Sequence, residues 1–306
     1  MPSNQNPLGA LPARFRRERV LVVGCGDVGL RVAQRMRANV RLMALTSSPD
    51  RRGLLRSRGI TPLAGDLDDA ASLKRLAALA TRVVHLAPPR GEGDAQWWRD
   101  ARTLSLVRAL RARSLPLTLV YGSTSGVYGD CGGARVSETR PILPQTPRAQ
   151  RRADAERVVR HFGRATGVRV SVLRIPGIYA ADREGGTPRE RLLKGTPVLA
   201  PADDVYTNHI HADDLARAVV AAVWRGRPQR VLNACDDSEL KMGEYFDLAA
   251  ERYGLPKPPR VSRSAAAETL PLMLLSFMNE SRRLDNARLK RELRLVLRYP
   301  SVADGL

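Results

Sequence analysis

Gly24, Gly26 and Gly29 form a G-x-G-x-x-G run, a residue pattern that binds the diphosphate of a dinucleotide in many α/β proteins. The run directly follows the apolar residues 20–23 and leads into the amphipathic residues 28–37. Gly24 suits a tight turn, Gly26 lets the backbone approach the diphosphate, and Gly29 lets the helix pack closely on the strand. The helix N-terminus then presents free N–H groups to the anion. An empty structural turn is the alternative, and the strand–turn–helix context favours a bound dinucleotide.

The end of the second predicted strand bears on the choice between NAD and NADP. NAD-binding proteins usually carry an acidic residue there for the ribose 2′-hydroxyl, whereas an arginine accommodates the 2′-phosphate of NADP. This chain has no acid at that point, and Thr46 is followed by Arg51 and Arg52. The pattern favours NADP over NAD, with the alternative that both arginines are merely exposed helix charges.

The order of the surrounding segments predicts an α/β fold: a Rossmann-type doubly wound parallel sheet with a smaller C-terminal substrate-binding part. β-branched stretches alternate with segments of helical period through the first half of the chain, as in repeated βαβ units. Strands are predicted at residues 20–23, 40–45, 60–63, 82–86, 117–121, 169–173 and 230–232. Helices are predicted at residues 28–37, 50–58, 70–80, 96–113, 147–162, 213–224, 242–253 and 281–293.

Three parts follow from this order. Residues 1–17 are predicted to form a loose, basic N-terminal tail. Residues 18–175 are predicted to form the NAD(P)-binding Rossmann domain. Residues 176–306 are predicted to be mainly substrate-binding, with elements that return to the Rossmann sheet.

Composition narrows the class of protein further. No apolar run is long enough to span a bilayer, so no membrane partner is predicted. Cys25, Cys131 and Cys235 are far apart, which argues against a disulfide framework or a metal site and fits the cytoplasm. The net charge of +20 is spread along the chain and aromatic residues make up only 5%, so no specific nucleic-acid partner is predicted.

Further segments, in order and at plausible spacing, resemble the NAD(P)-dependent epimerase/dehydratase branch of the extended short-chain dehydrogenase/reductase superfamily. The segments are Gly65-Asp66-Leu67-Asp68-Asp69, Val84-His85-Leu86-Ala87-Pro88, residues 120–130 with their Val-Tyr-Gly, Leu173-Arg174-Ile175-Pro176-Gly177-Ile178-Tyr179, and residues 208–216. The resemblance covers roughly residues 18 to 300 and places Asp66 near the adenine and the end of the fourth strand along the cofactor. With the glycine run, it predicts these cofactor-binding residues: Gly24, Gly26, Asp27, Val28, Gly29, Thr46, Arg51, Asp66, Leu67, Leu86, Ala87 and Pro176.

The chain departs from the resemblance at the family's catalytic tyrosine and at the lysine four residues later. Alignment on the flanking prolines puts Arg148 at the tyrosine position and Arg152 at the lysine position. In the family, the lysine charge and the cofactor lower the tyrosine pKa, so the phenol can exchange a proton with the substrate. A guanidinium stays protonated at physiological pH, so Arg148 cannot act as that acid–base. Arg152 can still replace the lysine as a cation.

Three hydroxyl groups complete the candidate catalytic set. Thr124 falls where the family carries its catalytic serine, Ser123 precedes it, and Tyr128 follows four residues later. Structural packing is the more ordinary interpretation of Tyr128. Arg282 or Arg283 could face an anionic substrate, but a solvated helix face is the favoured interpretation.

The predicted function is that of an NAD(P)-dependent epimerase/dehydratase-like oxidoreductase. Its substrate would be a sugar, a nucleotide-sugar or a similar small molecule with a hydroxyl or carbonyl group. The loss of the tyrosine–lysine pair keeps an alternative open: a catalytically impaired NAD(P)-binding sensor or regulatory protein. The resemblance also leaves a homodimer open, formed through the helices predicted at residues 96–113 and 147–162.

Overall fold

The fold is built on one parallel sheet. A computed structural model describes residues 18–36, 38, 40–91 and 96–306, so the predicted tail at residues 1–17 lies outside the described residues. The sheet has seven strands, all paired in parallel. They are β1 (Arg19–Val23), β2 (Arg41–Thr46), β3 (Thr61–Ala64), β4 (Arg82–His85), β5 (Thr118–Thr124), β6 (Arg169–Ile175) and β7 (Arg230–Asn233). Their order across the sheet is β3-β2-β1-β4-β5-β6-β7.

Helices connect and flank these strands. They are α1 (Asp27–Gln34), α2 (Arg51–Ser57), α3 (Ala101–Arg111), α4 (Pro147–Thr166), α5 (Arg189–Leu193), α6 (Ala212–Arg225), α7 (Met242–Tyr253), α8 (Arg263–Thr269), α9 (Leu272–Met278) and α10 (Ala287–Leu293). Three 3₁₀ turns span Ala70–Leu76, Ser125–Tyr128 and Val302–Asp304. Outside the main sheet, short parallel pairs join Arg135–Val136 to Arg283–Leu284, Gly177–Tyr179 to His209–His211, and Val198–Leu199 to Arg260–Val261.

The core forms on both faces of the sheet because successive strand residues point to opposite sides. Along β1, Val20 and Val22 pack in one apolar cluster with α1 and α6, whereas Leu21 and Val23 pack in the other with α3 and α4. Burial on both faces explains why β1 is apolar without alternation. This arrangement confirms the predicted doubly wound α/β fold, in which β7, from the later part of the chain, forms one edge of the sheet.

Two of the predicted helices are wrong in part. Residues 70–76 form a 3₁₀ turn because Asp69 caps it by accepting from the Ala71 N–H (3.0 Å), and Ala78 ends it with a positive φ of 61°. Residues 283–284 are a short strand, and helix α10 begins only at Ala287, where Asp285 accepts from the Ala287 N–H (2.8 Å).

The helix predicted at residues 96–113 is shorter than expected. It begins at Ala101 because Asp100 accepts hydrogen bonds from the N–H of Thr103 (3.2 Å) and from its hydroxyl (2.6 Å). The strands β5 and β6, in contrast, extend beyond their predicted ends, to Thr124 and Ile175. Those extensions carry Ser123, Thr124 and Arg174 into the sheet.

Candidate functional site

The turn between β1 and α1 is shaped by glycine. Gly24 has a φ of +87°, and a Cβ there would lie only 2.2 Å from the Ala87 nitrogen. Gly29 is also confined, since a Cβ would lie 2.9 Å from the Gly24 oxygen. Because neither glycine has a Cβ, the N-terminus of α1 can lie this close to the ends of β1 and β4.

Gly26 differs from its two neighbours because a Cβ there would meet no atom within 4 Å. The backbone at Gly26 therefore borders open space at the N-terminus of α1, where N–H groups and the helix dipole favour an anion. A ligand can approach the backbone at Gly26, whereas Gly24 and Gly29 are needed for the fold itself. The loop thus fits the diphosphate of a dinucleotide.

The glycine loop opens on a cleft of about 450 Å³, which we call the cofactor cleft. Eight of the predicted cofactor residues line it: Gly24, Gly26, Thr46, Arg51, Asp66, Leu67, Leu86 and Ala87. They lie together because the carboxyl ends of β1, β2, β3 and β4 share one edge of the parallel sheet. The remaining four, which also belong to the described chain, are outside the lining: Asp27, Val28, Gly29 and Pro176.

Arg51 borders the part of the cleft beyond β2. The Arg51 Nη2 donates to the Cys25 carbonyl oxygen (2.7 Å), so its guanidinium lies over the glycine loop. The end of β2 carries Thr46 in place of an acidic residue, and Thr46 Oγ1 accepts from the Ser48 N–H (3.2 Å). The end of β2 is thus bordered by the guanidinium of Arg51 and carries no acidic side chain.

Arg102 is a cleft residue that the sequence analysis missed. It lies in the first turn of α3, and its Nε and Nη2 bind both carboxylate oxygens of Asp68 (2.9 and 2.6 Å). The hydrogen bonds from Arg102 lower the pKa of the Asp68 carboxyl. No local pattern marks Arg102, because its position depends on how α3 packs across the end of β4.

Arg152 lies at the next strand end. Its Nη1 donates to the Gly122 carbonyl oxygen (2.8 Å) and to the Tyr121 hydroxyl (3.2 Å), both on β5. A Cβ on Gly122 would lie 2.9 Å from the Leu86 side chain, so this point adjoins the cofactor cleft. Arg148 lies one helical turn earlier on α4 and is exposed.

Ser123 and Tyr128 belong to a buried network that we call the polar interior, formed by Ser123, Tyr128, Glu156, Arg174 and Asn233. The Ser123 hydroxyl donates to Glu156 Oε1 (2.6 Å), and Arg174 binds Glu156 through Nε (3.1 Å) and Nη2 (2.8 Å). The Tyr128 hydroxyl donates to Asn233 Oδ1 (2.7 Å), and the Arg174 guanidinium covers its ring at 4.6 Å. Burial raises the pKa of the Tyr128 phenol. Both hydroxyl protons are therefore engaged within the protein.

Thr124 is the candidate hydroxyl that remains half-buried at the end of β5. Its Oγ1 accepts from the Gly126 N–H (3.3 Å), which caps the following 3₁₀ turn. The Thr124 hydroxyl donates no hydrogen bond to any of the described residues. Thr124 can therefore donate a hydrogen bond to a ligand oxygen.

A second buried hydrogen-bonded network, formed by His85, Thr103 and Asp100, lies at the end of β4. The Thr103 hydroxyl donates to Asp100 Oδ2 (2.6 Å), so it accepts from the His85 Nε2 at 2.9 Å. Burial lowers the pKa of His85 to about 3 and raises the pKa of Asp100. His85 is thus neutral at physiological pH, and its ring packs at 5.2 Å from Tyr121.

Two further searches cover only the described part of the chain. No group of three or more His, Cys, Asp or Glu side chains there converges as a metal site requires. None of the helices described is both long and apolar enough to cross a membrane.

The fold and the cleft define a dinucleotide-binding α/β protein. Comparison with known families specifies it further: the NAD dependent epimerase/dehydratase family matches residues 20–235, and the chain belongs to that family. The family is the one that the sequence segments resemble, so that expectation is confirmed.

Individual relatives agree with this assignment. The chain is 31% identical to a dTDP-glucose 4,6-dehydratase of Mycolicibacterium smegmatis over 53% of this chain and 51% of the relative. The chain thus spans about half the length of this curated relative. A functionally unknown conserved protein from Silicibacter pomeroyi has a TM-score of 0.74 and 27% identity, over 94% of this chain and 96% of that one.

A third relative carries a cofactor. The structure of a UDP-glucuronic acid 4-epimerase from Bacillus cereus in complex with NAD has a TM-score of 0.73 at 17% identity, over 94% of this chain and 96% of that one. At this identity the likeness shows the shared fold. The family and its structural neighbours bind NAD.

Proposed function

We propose that this protein is an NAD(P)-dependent oxidoreductase of the epimerase/dehydratase type, acting on a sugar, nucleotide-sugar or similar hydroxyl or carbonyl compound. The observation that carries the proposal is the open backbone at Gly26, at the mouth of a cleft lined by family segments. Dehydratase and epimerase relatives support the substrate class.

The chain's own residues would hold the cofactor as follows. The backbone around Gly26 would bind the diphosphate, Asp66 would lie near the adenine, and Leu86 and Ala87 would line the path toward the reacting end. A bound nicotinamide ring would accept or donate a hydride. NADP is preferred in this proposal because Arg51 is within the cleft and no acid ends β2.

Substrate handling falls to residues near the end of β5. Thr124 would donate a hydrogen bond to a substrate oxygen, and Arg152 would supply the positive charge that the family's lysine supplies. Ser123 and Tyr128 would position this strand end through the polar interior. Residues 176–306 would contribute most of the remaining substrate contacts, and the three free cysteines support a cytoplasmic location.

One specific observation favours a second candidate function, an NAD(P)-binding sensor without turnover. Arg148 occupies the position of the family's tyrosine, and its guanidinium cannot exchange protons in the physiological range. The hydroxyls of Ser123 and Tyr128 are both bound inside the protein. Cofactor binding would then serve regulation, for example through a homodimer formed by α3 and α4.

Calorimetric titration with NADPH and NADH tests cofactor binding, which both candidate functions require. Gly26→Glu should weaken NADPH binding at least about a hundredfold, because its carboxylate would occupy the diphosphate position and repel it. Ala165→Glu adds the same charge at an exposed position near the end of α4 and should bind NADPH like the wild type. Unchanged NADPH affinity in a folded Gly26→Glu protein would refute the proposal.

Turnover separates the two candidates. The wild type is incubated with NADPH and a panel of nucleotide-sugars and carbonyl compounds, and the absorbance of reduced nicotinamide and the products are followed. Consumption of NADPH or conversion of a sugar that falls in Thr124→Ala supports the enzyme. Tight cofactor binding without any conversion across the panel supports the sensor.

A further inference from the structure

Arg148 is a cation without a partner. Its side chain is exposed in the first turn of α4, and within residues 18–36, 38, 40–91 and 96–306 it has neither a hydrogen-bond acceptor nor an ion pair. The pKa of Arg148 is lowered by partial desolvation and then by the charge of Arg152, one turn later on the same helix. Two guanidinium groups therefore lie one turn apart at the N-terminal end of α4, and that of Arg152 is bound to the end of β5.

The charges that act on Arg148 are those of Arg152 and Glu280. Arg152 is engaged by backbone and phenol oxygens, and its buried Nε has no acceptor among the described residues. Glu280 is the carboxylate whose charge acts on Arg148, but it is already bound to Arg282 (2.7 Å). Asp130, which Arg282 also faces, accepts from the N–H groups of Ser281 (2.8 Å) and Gly132 (3.1 Å).

Arg282 is a third cation in this region, and it does not lie on the solvated helix face that the sequence favoured. It precedes α10, is only 9% exposed, and donates to the Gly129 carbonyl oxygen (2.7 Å), just after the 3₁₀ turn that follows Thr124. Its buried Nε also lacks an acceptor in the part of the chain that the structure describes. Arg282 thus adds a positive charge next to the turn that follows Thr124.

We propose that Arg148 and Arg282 bind an anionic group of the substrate, a carboxylate or a phosphate, next to Arg152 and Thr124. Arginine suits this role because its planar fork binds such groups through paired hydrogen bonds. The inference rests on the proposed function, since it narrows the substrate to an acidic or phosphorylated sugar or related compound. The residue that replaces the family's tyrosine would thus recognise substrate charge instead of moving a proton.

Malonate and inorganic phosphate serve as probes, titrated calorimetrically at constant ionic strength into the protein saturated with NADP⁺, so that the glycine loop is already occupied. One of the two should bind at a single saturable site, and Arg148→Gln should weaken that binding by at least about tenfold, the effect of losing charge-assisted hydrogen bonds. Arg164→Gln removes the same charge from an exposed position on the same helix and should leave the affinity within about twofold. Preference for malonate would assign a carboxylate, and preference for phosphate would assign a phosphate.

Two outcomes overturn the inference: no saturable binding of either probe, or equal affinities in the wild type and Arg148→Gln. NADP⁺ titration of the same proteins keeps this failure separate from failure of the proposed function. Normal NADP⁺ binding with no anion site removes only the inference. Absence of NADP⁺ binding to the wild type removes the proposed function, whatever the probes do.

Discussion

The cofactor cleft and the polar interior adjoin each other at one edge of the sheet, yet they are built from different parts of the chain. Backbone conformation shapes the glycine loop, where the fit depends on missing Cβ atoms at Gly24 and Gly29. Side chains hold the polar interior together, through the buried contacts of Glu156 and Arg174. Side chains at the end of β5 can therefore differ without altering the backbone shape of the glycine loop.

Arg148 and Arg152 illustrate this separation. Arg148 is exposed and Arg152 is half-buried, whereas Glu156, four residues further along the same face of α4, is buried and bound to Ser123 and Arg174. The helix therefore carries its two less buried arginines on its first turns and a buried structural contact one turn further. The predictions below test whether stability and cofactor binding are divided between the two regions in this way.

The largest effect is expected for Glu156→Ala, which leaves the Arg174 guanidinium buried without its partner. Loss of one member of a buried ion pair costs about 3–5 kcal/mol in the free energy of unfolding. Urea denaturation measures the change. The matched control is Arg157→Ala, on the same helix, because Arg157 is 72% exposed and pairs with Asp154 at the surface; its cost should stay below about 0.5 kcal/mol. Equal costs for both variants would show that the polar interior does not stabilise the fold.

Gly24→Ala comes next and tests the cofactor cleft. A Cβ would lie 2.2 Å from the Ala87 nitrogen at a φ of +87°, so strain and overpacking together should cost about 2–4 kcal/mol of unfolding free energy. Gly26→Ala should cost less than about 1 kcal/mol, since its Cβ meets no atom within 4 Å. If Gly24→Ala leaves the free energy of unfolding unchanged, the missing Cβ at this position does not define the shape of the cleft.

The same division explains what the sequence could predict. The glycine run and the alternating apolar stretches are local, so the sheet, the loop and most cleft residues follow from Gly24, Gly26 and their neighbours. Arg102 and Glu280 could not be found, because their positions depend on contacts between elements distant in the chain. The helix predicted at residues 281–293 was wrong in its first part, since pairing of Arg283–Leu284 with Arg135–Val136 overrides helical period there.

Asp236, just beyond β7, should make stability depend on pH. Burial raises its pKa to about 8, whereas burial lowers the pKa of His85 to about 3 and of His209 to about 4. The folded protein keeps the Asp236 proton up to about pH 8, so its stability is lost as pH rises toward that value. The histidines bind protons more readily in the unfolded chain, so stability is also lost as pH falls below about 6.5.

Between about pH 7 and 8, therefore, Asp236 dominates among these three groups, because the histidines are then mostly neutral in both states. The free energy of unfolding should fall there by roughly 1 kcal/mol, since each unit of pKa difference corresponds to about 1.4 kcal/mol. Urea denaturation at several pH values checks this, and Asp236→Asn should be flat over the same range. A decline that persists in Asp236→Asn would assign it to another group.

Arg51→Leu is expected to have the smallest effect, confined to cofactor choice. The guanidinium now donates to the Cys25 carbonyl oxygen (2.7 Å) at the exposed edge of the cleft, so its loss should hardly affect folding. If Arg51 also binds a 2′-phosphate, NADPH affinity should fall about tenfold, the value of a charge-assisted contact, while NADH affinity changes less than about twofold. Calorimetric titration of both cofactors measures the ratio, and Arg56→Leu, which removes the same charge from the exposed last turn of α2, is the control. Equal weakening of NADPH and NADH binding would mean that Arg51 supports the glycine loop through Cys25 and does not distinguish the two cofactors.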